Sequence, residues 1–175
     1  MAAIRMQPPK LTHVMNMRAY MSKKSGISGA YRGGATRGLV PLTGGFLKGV
    51  EGTRAEGLDV QLMEGGSDWP MVDEASGMVH VDVRTHGTSK SGDGFFIHYT
   101  GYLGLDKAAA MFTSWDPEAK TTKGGDHYWF TNPTFETSCK DFQWLTTTSF
   151  VGRGHWWAGD DGMQAVEYEI FEVSN

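Results

Sequence analysis

Four side chains have the types needed to move a proton. His80, Asp82 and Arg84 alternate with Val79, Val81 and Val83, and His98 stands in a second alternating run, Phe95–Tyr102. Residues two apart in an extended strand share a face, so His80, Asp82 and Arg84 form one row. If that row lines an enclosed space, Asp82 stays ionised beside Arg84, and His80 or His98 titrates near neutral pH. Asp82 or His98 then serves as a general base, and Arg84 holds an oxygen that gains charge. The competing reading is an exposed strand face whose ion pair carries little energy. Register decides between the two, because a one-residue slip exchanges the faces.

Further candidates stand outside that row. Asp68 and Trp69 lie in Gly65-Gly66-Ser67-Asp68-Trp69-Pro70, a turn by its residue types. There Asp68 either caps the turn or points into a pocket walled by Trp69. Glu136 is the one ionisable residue in the aromatic stretch 128–137, which also carries Trp129. Buried, such a carboxyl needs a partner or a raised pKa. Trp144, Trp129, Trp69, Tyr99 and His80 complete the set expected to bind a substrate. Aromatic side chains mostly build cores, yet in a barrel they also offer flat walls to a planar ligand. His80, Asp82, His98 and Glu136 are metal-ligand types, but they show no metal-binding spacing and no metal is expected. Cys139, the one cysteine, has no implied histidine partner and reads as a core residue. With no Gly-x-Gly-x-x-Gly after a strand and no phosphate-binding Gly-Lys-Ser/Thr loop, no nucleotide cofactor is expected.

The elements that must position these residues are short strands. The sequence of 175 residues holds 24 glycines, about twice ordinary usage, spread without a period. Glycine at that density suits tight turns and weakens helices. Strands are predicted at 39–43, 45–50, 58–63, 78–86, 94–103, 126–132, 142–151 and 164–173, with 10–21 extended and half-buried. One short helix is predicted around Leu105–Phe112. Regular short strands with turns between them indicate a sandwich or barrel. The expected fold is therefore all-β: a single antiparallel, lipocalin-like β-barrel of about 8–10 strands, forming one domain over 1–175. Residues 1–9 read as a loose tail and 22–38 as a basic, glycine-rich loop containing Arg32-Gly33-Gly34.

The ordered runs along this frame resemble one family. Val40-Pro41-Leu42-Thr43-Gly44-Gly45, Gly65-Gly66-Ser67-Asp68-Trp69 and Val81-Asp82-Val83-Arg84 are similar to successive segments of DUF3237, also called UPF0311. So are Asp93-Gly94 leading to Ile97, Thr100-Gly101, Phe135-Glu136-Thr137, Trp144-Leu145 and Phe150-Val151-Gly152. The resemblance spans 38–173. It implies one β-barrel and picks out Asp68, Trp69, Asp82, Arg84, Glu136 and Trp144. Some fungal members sit in natural-product pathways, and at least one is associated with a chalcone-isomerase-type ring closure. By analogy of fold, that implies cofactor-free isomerisation or cyclisation. The chain departs from the family pattern at His98, where an aromatic is expected, at Thr146, where asparagine commonly follows Trp-Leu, and in its longer basic loop.

These readings give a first expectation: an isomerase or cyclase without a cofactor, acting on a small aromatic, polyketide- or terpenoid-like metabolite in the barrel lumen. Asp82, His98, Arg84, Glu136 and Asp68 are its catalytic candidates. A non-catalytic small-molecule binder is the alternative, and a structural protein with a filled lumen the third. The net charge of −4 offers no field for nucleic acid or anionic membrane. No apolar run reaches membrane-span length, and a cytoplasmic location is expected. An exposed edge at 10–21 leaves room for a homodimer.

Overall fold

The computed structural model describes residues 7–24, 26–30 and 34–175. Arg32-Gly33 of the basic loop and 1–6 of the expected tail lie outside the described residues. Eleven strands form one antiparallel sheet. They are β1 (Lys10–Met21), β2 (Gly26–Ala30), β3 (Thr36–Gly49), β4 (Asp59–Leu62), β5 (Ser67–Asp68), β6 (Met71–Asp73), β7 (Met78–Ser89), β8 (Gly94–Gly104), β9 (Trp129–Thr137), β10 (Phe150–Ala158) and β11 (Gln164–Ser174). A helix, α1 (Lys107–Thr113), and a 3-10 segment, Lys140–Thr147, complete the elements.

The sheet closes on itself. Its order is β1-β11-β10-β9-β8-β7-β4-β3, and β1 also pairs with β3. The short β4, β5 and β6 share one place in the ring, each bridging β3 to β7. The antiparallel barrel expected from sequence is the observed fold. β1 is paired on both sides, from Lys10↔Ser174 along β11 and from Met15↔Gly49 along β3. From Met15 to Met21 the edge on which the homodimer expectation rested is covered by β3. Part of the segment read as a loop, β2, extends the sheet by pairing with β3 at Leu39, Arg37 and Thr36.

Two predicted elements need correction. The two strands expected at 39–43 and 45–50 are one continuous strand through Gly44. A Cβ on Gly45 would lie 1.9 Å from the Arg18 carbonyl oxygen, so glycine there lets β1 cross against β3 without ending it. The strand expected at 142–151 is the 3-10 segment, and the strand begins at Phe150. In that segment Leu145 is buried, and Trp144 and Phe135 both pack on Phe150. The aromatic run packs against the core instead of continuing the wall.

Alternation is regular where the wall is longest. Val79, Val81, Val83 and Thr85 of β7 are buried and their neighbours are not. Trp129, Thr131, Pro133 and Phe135 repeat this on β9. One half of the interior is packed by Met15, Met17, Leu47, Val60, Leu62, Phe95, Ile97, Phe135 and Phe150. The other half encloses a cavity, with Ala109 and Phe112 of α1 among its lining residues. The helix is tied at its start. Asp106 accepts the Ala109 N–H at 2.8 Å, while its other oxygen contacts Nδ1 of the buried His127. Nε2 of His127 meets the Thr122 hydroxyl, which accepts the Trp156 N–H from β10 at 3.0 Å.

Candidate functional site

The lumen cavity holds about 340 Å³. Its walls divide by chemistry into two arcs. Adjacent strands β8, β9, β10 and β11 contribute the rings of Tyr99, Trp129, Trp156 and Tyr168. Across the ring, β3, β6 and β7 contribute Val40, Leu42, Val72, Val79, Val81 and Val83. The rings support one another: Tyr99 meets Tyr168 edge-on at 5.1 Å, Trp129 lies 4.6 Å from Trp156, and Phe112 of α1 stacks on Trp156 at 4.9 Å. Local sequence makes room for this packing. A Cβ on Gly154 would stand 2.4 Å from the Trp129 ring, so an inward glycine on β10 accepts the indole of β9.

Asp68 is the one carboxylate among the described lining residues. Its orientation follows from register. Asp68 pairs with Val40 on one side and Val83 on the other, and directly paired residues share a face. Both valines line the cavity, and Asp68 joins them. One carboxylate oxygen accepts the Asp82 backbone N–H at 3.1 Å. Burial pushes the Asp68 carboxyl up to about 7; the charge of Asp82 adds to this, and the hydrogen bonds from the Asp82 and Trp69 backbone only partly oppose it. Burial also lifts the Tyr99 and Tyr168 hydroxyls well above their usual range, so both remain neutral donors. The Tyr168 hydroxyl hydrogen-bonds to Tyr99 and to the Trp129 indole, and among the described residues the indole N–H of Trp156 has no hydrogen-bond partner.

The row His80-Asp82-Arg84 faces outward, contrary to the arrangement that would put it in the lumen. The valines take the inside because burying their branched side chains is favourable and burying the charged row is not. Arg84 donates to Asp82 at 2.9 Å, with the two side chains 53% and 35% exposed, and His98 stands 3.3 Å from the same carboxylate oxygen. His80 packs against Tyr102 on this outer face. Glu136 is exposed on β9, on the outward face next to the buried Phe135. Trp69, next after Asp68, is 44% exposed and is not a lumen wall. Trp144 lies under Arg54, whose guanidinium carbon is 4.3 Å from the ring, and is also outside the lumen. Of the residues singled out from sequence, Asp68, Tyr99 and Trp129 line the cavity together.

Trp156, Tyr168, Phe112 and Trp115 also line it and were not anticipated. Alternation carried the signal for two of them: Gly152-Gly154-Trp156 and Val166-Tyr168-Ile170 are inward rows. Misplacing the strand at 142–151 hid the first row. Trp115 follows α1 with φ of 55°, an unusual backbone for a bulky residue. Among the described residues no three His, Cys, Asp or Glu side chains are grouped to hold a metal ion.

Residues 9–173, nearly the whole chain, match the family described as Protein of unknown function (DUF3237). The chain belongs to DUF3237. Solved structures share the fold of this DUF3237 protein. A conserved protein of unknown function from Rhodopseudomonas palustris is 20% identical with a TM-score of 0.78, over 96% of this chain and 99% of that one. A β-barrel-like protein from Acinetobacter baumannii is 20% identical with a TM-score of 0.69, over 98% and 100%. An enzyme from Penicillium herquei is 17% identical with a TM-score of 0.58, over 98% and 99%. At such identities the likeness establishes the fold alone. Among curated proteins none matches. No helix among the described residues is long and apolar enough to cross a membrane.

Proposed function

We propose that this DUF3237 protein is a cofactor-independent isomerase or cyclase, acting inside its barrel on a small aromatic, polyketide- or terpenoid-like metabolite. The observation that carries the reading is Asp68, a carboxyl raised to about 7 in an otherwise apolar, ring-walled cavity. A group half-protonated at neutral pH both takes and returns a proton, which is the whole requirement of an enol- or phenol-based rearrangement. The proton-transfer role moves from the outward Asp82 and His98 to Asp68. Tyr99 and Tyr168, kept neutral, are the O–H donors available to an oxygen that gains charge. The aromatic and aliphatic arcs hold a flat substrate so that ring closure starts from a limited set of orientations. That a structural relative from Penicillium herquei is an enzyme is consistent with this reading.

A second reading, a non-catalytic binder, is favoured by the apolar lining itself. The two separate in one experiment. Hydroxychalcones and cyclic ketones are incubated with the protein in D2O, and ring closure and deuterium uptake are followed by NMR. Catalysis predicts turnover that falls about 10²–10⁴-fold in Asp68→Asn. Saturable binding with no turnover or exchange by the wild type would leave the binder.

A further inference from the structure

The composition of the lining sets the charge of what can enter. Among the described residues no lysine, arginine or histidine lines the cavity, and Asp68 is its one acidic group. Arg37, the cation whose charge acts on Asp68, donates its guanidinium to the Trp69 carbonyl oxygen at 2.7 Å. A ligand anion would thus meet a carboxyl that ionises in response to pH, and among the described residues the lining itself supplies no counter-charge to offset the anion's desolvation. One unpartnered donor leads to the complementary requirement. The indole N–H of Trp156, a lining residue, lacks an acceptor, whereas Tyr99 and Trp129 both hydrogen-bond to Tyr168. A buried unmade donor is costly, and an acceptor oxygen on the ligand relieves that cost.

We infer that the lumen takes the uncharged form of a flat ring compound bearing an acceptor oxygen, and that Asp68 excludes the corresponding carboxylate. The inference shares with the proposed function the lumen as the binding site, but it does not require catalysis. Shape agrees with it: rings on one arc and branched aliphatics on the other make a slot for a planar body, and the cavity of about 340 Å³ suits a fused two- or three-ring compound.

The test uses 2-naphthamide and 2-naphthoate, which match in shape and differ in charge. Each is titrated into the full-length protein at pH 8 and read by quenching of tryptophan emission and by calorimetry. The amide is expected to bind saturably and the carboxylate at least about ten-fold more weakly, as two like charges in a poorly solvated space require. In Asp68→Asn the gap is expected to shrink to about three-fold or less, since the asparagine keeps the acceptor for the Asp82 N–H and loses the charge. Three results overturn the inference: equal or tighter binding of naphthoate by the wild type, a gap unchanged in the variant, or no saturable binding of either compound. Failure of the catalytic reading looks different, because it leaves amide binding intact and removes only turnover.

Discussion

Asp68 couples the lumen to stability, and the coupling has a definite sign. Its carboxyl rises from 3.8 to about 7 on folding. At about 1.36 kcal/mol per pH unit this difference amounts to about 4 kcal/mol against the folded state once the group is ionised. Relaxation of the surroundings around the ionised group reduces the figure to about 2 kcal/mol. Below about pH 4 the group is protonated in folded and unfolded chains alike, and its cost vanishes. Between about pH 4 and 7 the unfolded chain ionises first, the folded chain holds more protons, and stability falls as pH rises. Above about pH 7 the cost is constant. Asp68→Asn retains an acceptor for the Asp82 N–H and removes the charge, so it should leave stability nearly unchanged at pH 4 and raise it by about 2 kcal/mol at pH 8. For a chain of this size that is a melting-temperature gain of about 4–8 °C at pH 8. Thermal unfolding of both proteins across pH 4–8 checks it. A gain that is the same at both ends of the range, or a wild type more stable than the variant at pH 8, would refute the placement of this carboxyl in a poorly solvated cavity.

Other substitutions probe the frame around the site. Gly154→Ala places a methyl group against the Trp129 ring and should cost about 1–3 kcal/mol by urea unfolding, with a shift in tryptophan emission. Asp106→Ala removes both the α1 cap and the contact to His127; it should cost about 1–2 kcal/mol and speed release of a lumen-bound ligand in stopped-flow quenching. Asp82→Ala and Arg84→Ala act on the outer wall, and each should change stability by less than about 1 kcal/mol and leave naphthamide affinity unaltered; a ten-fold loss of affinity would place this pair back in the site.

The sequence carried the architecture well and the site only in part, for identifiable reasons. Alternating Val79, Val81 and Val83 showed that a strand existed and that its two faces differed. It did not show which face was inside, because both a valine row and a charged row can line a barrel of some kind. Partner strands settle that, and their register is a non-local property. The turn chemistry around Asp68 was legible, but its direction was not. It depends on a two-residue strand inserted between β3 and β7, too short to leave a periodic pattern. Trp144 and Trp156 show the same limit from the other side. Both sit in aromatic-rich stretches, yet one packs on Phe150 outside the lumen and the other walls the cavity, and only the glycine alternation beside Trp156 distinguished them.

The pairing of β1 with both β3 and β11 has a consequence for how the molecule comes into being. Lys10 meets Ser174 across that seam, so the wall is completed by segments separated by most of the sequence. Bringing such distant partners together carries a large loop-closure entropy and makes for slow assembly. Without that seam, the rings of Trp156 and Tyr168 would belong to an open sheet with apolar surface turned to water. Binding in the lumen therefore requires the closed seam, and a compound that fits the finished interior will hold the seam shut by mass action.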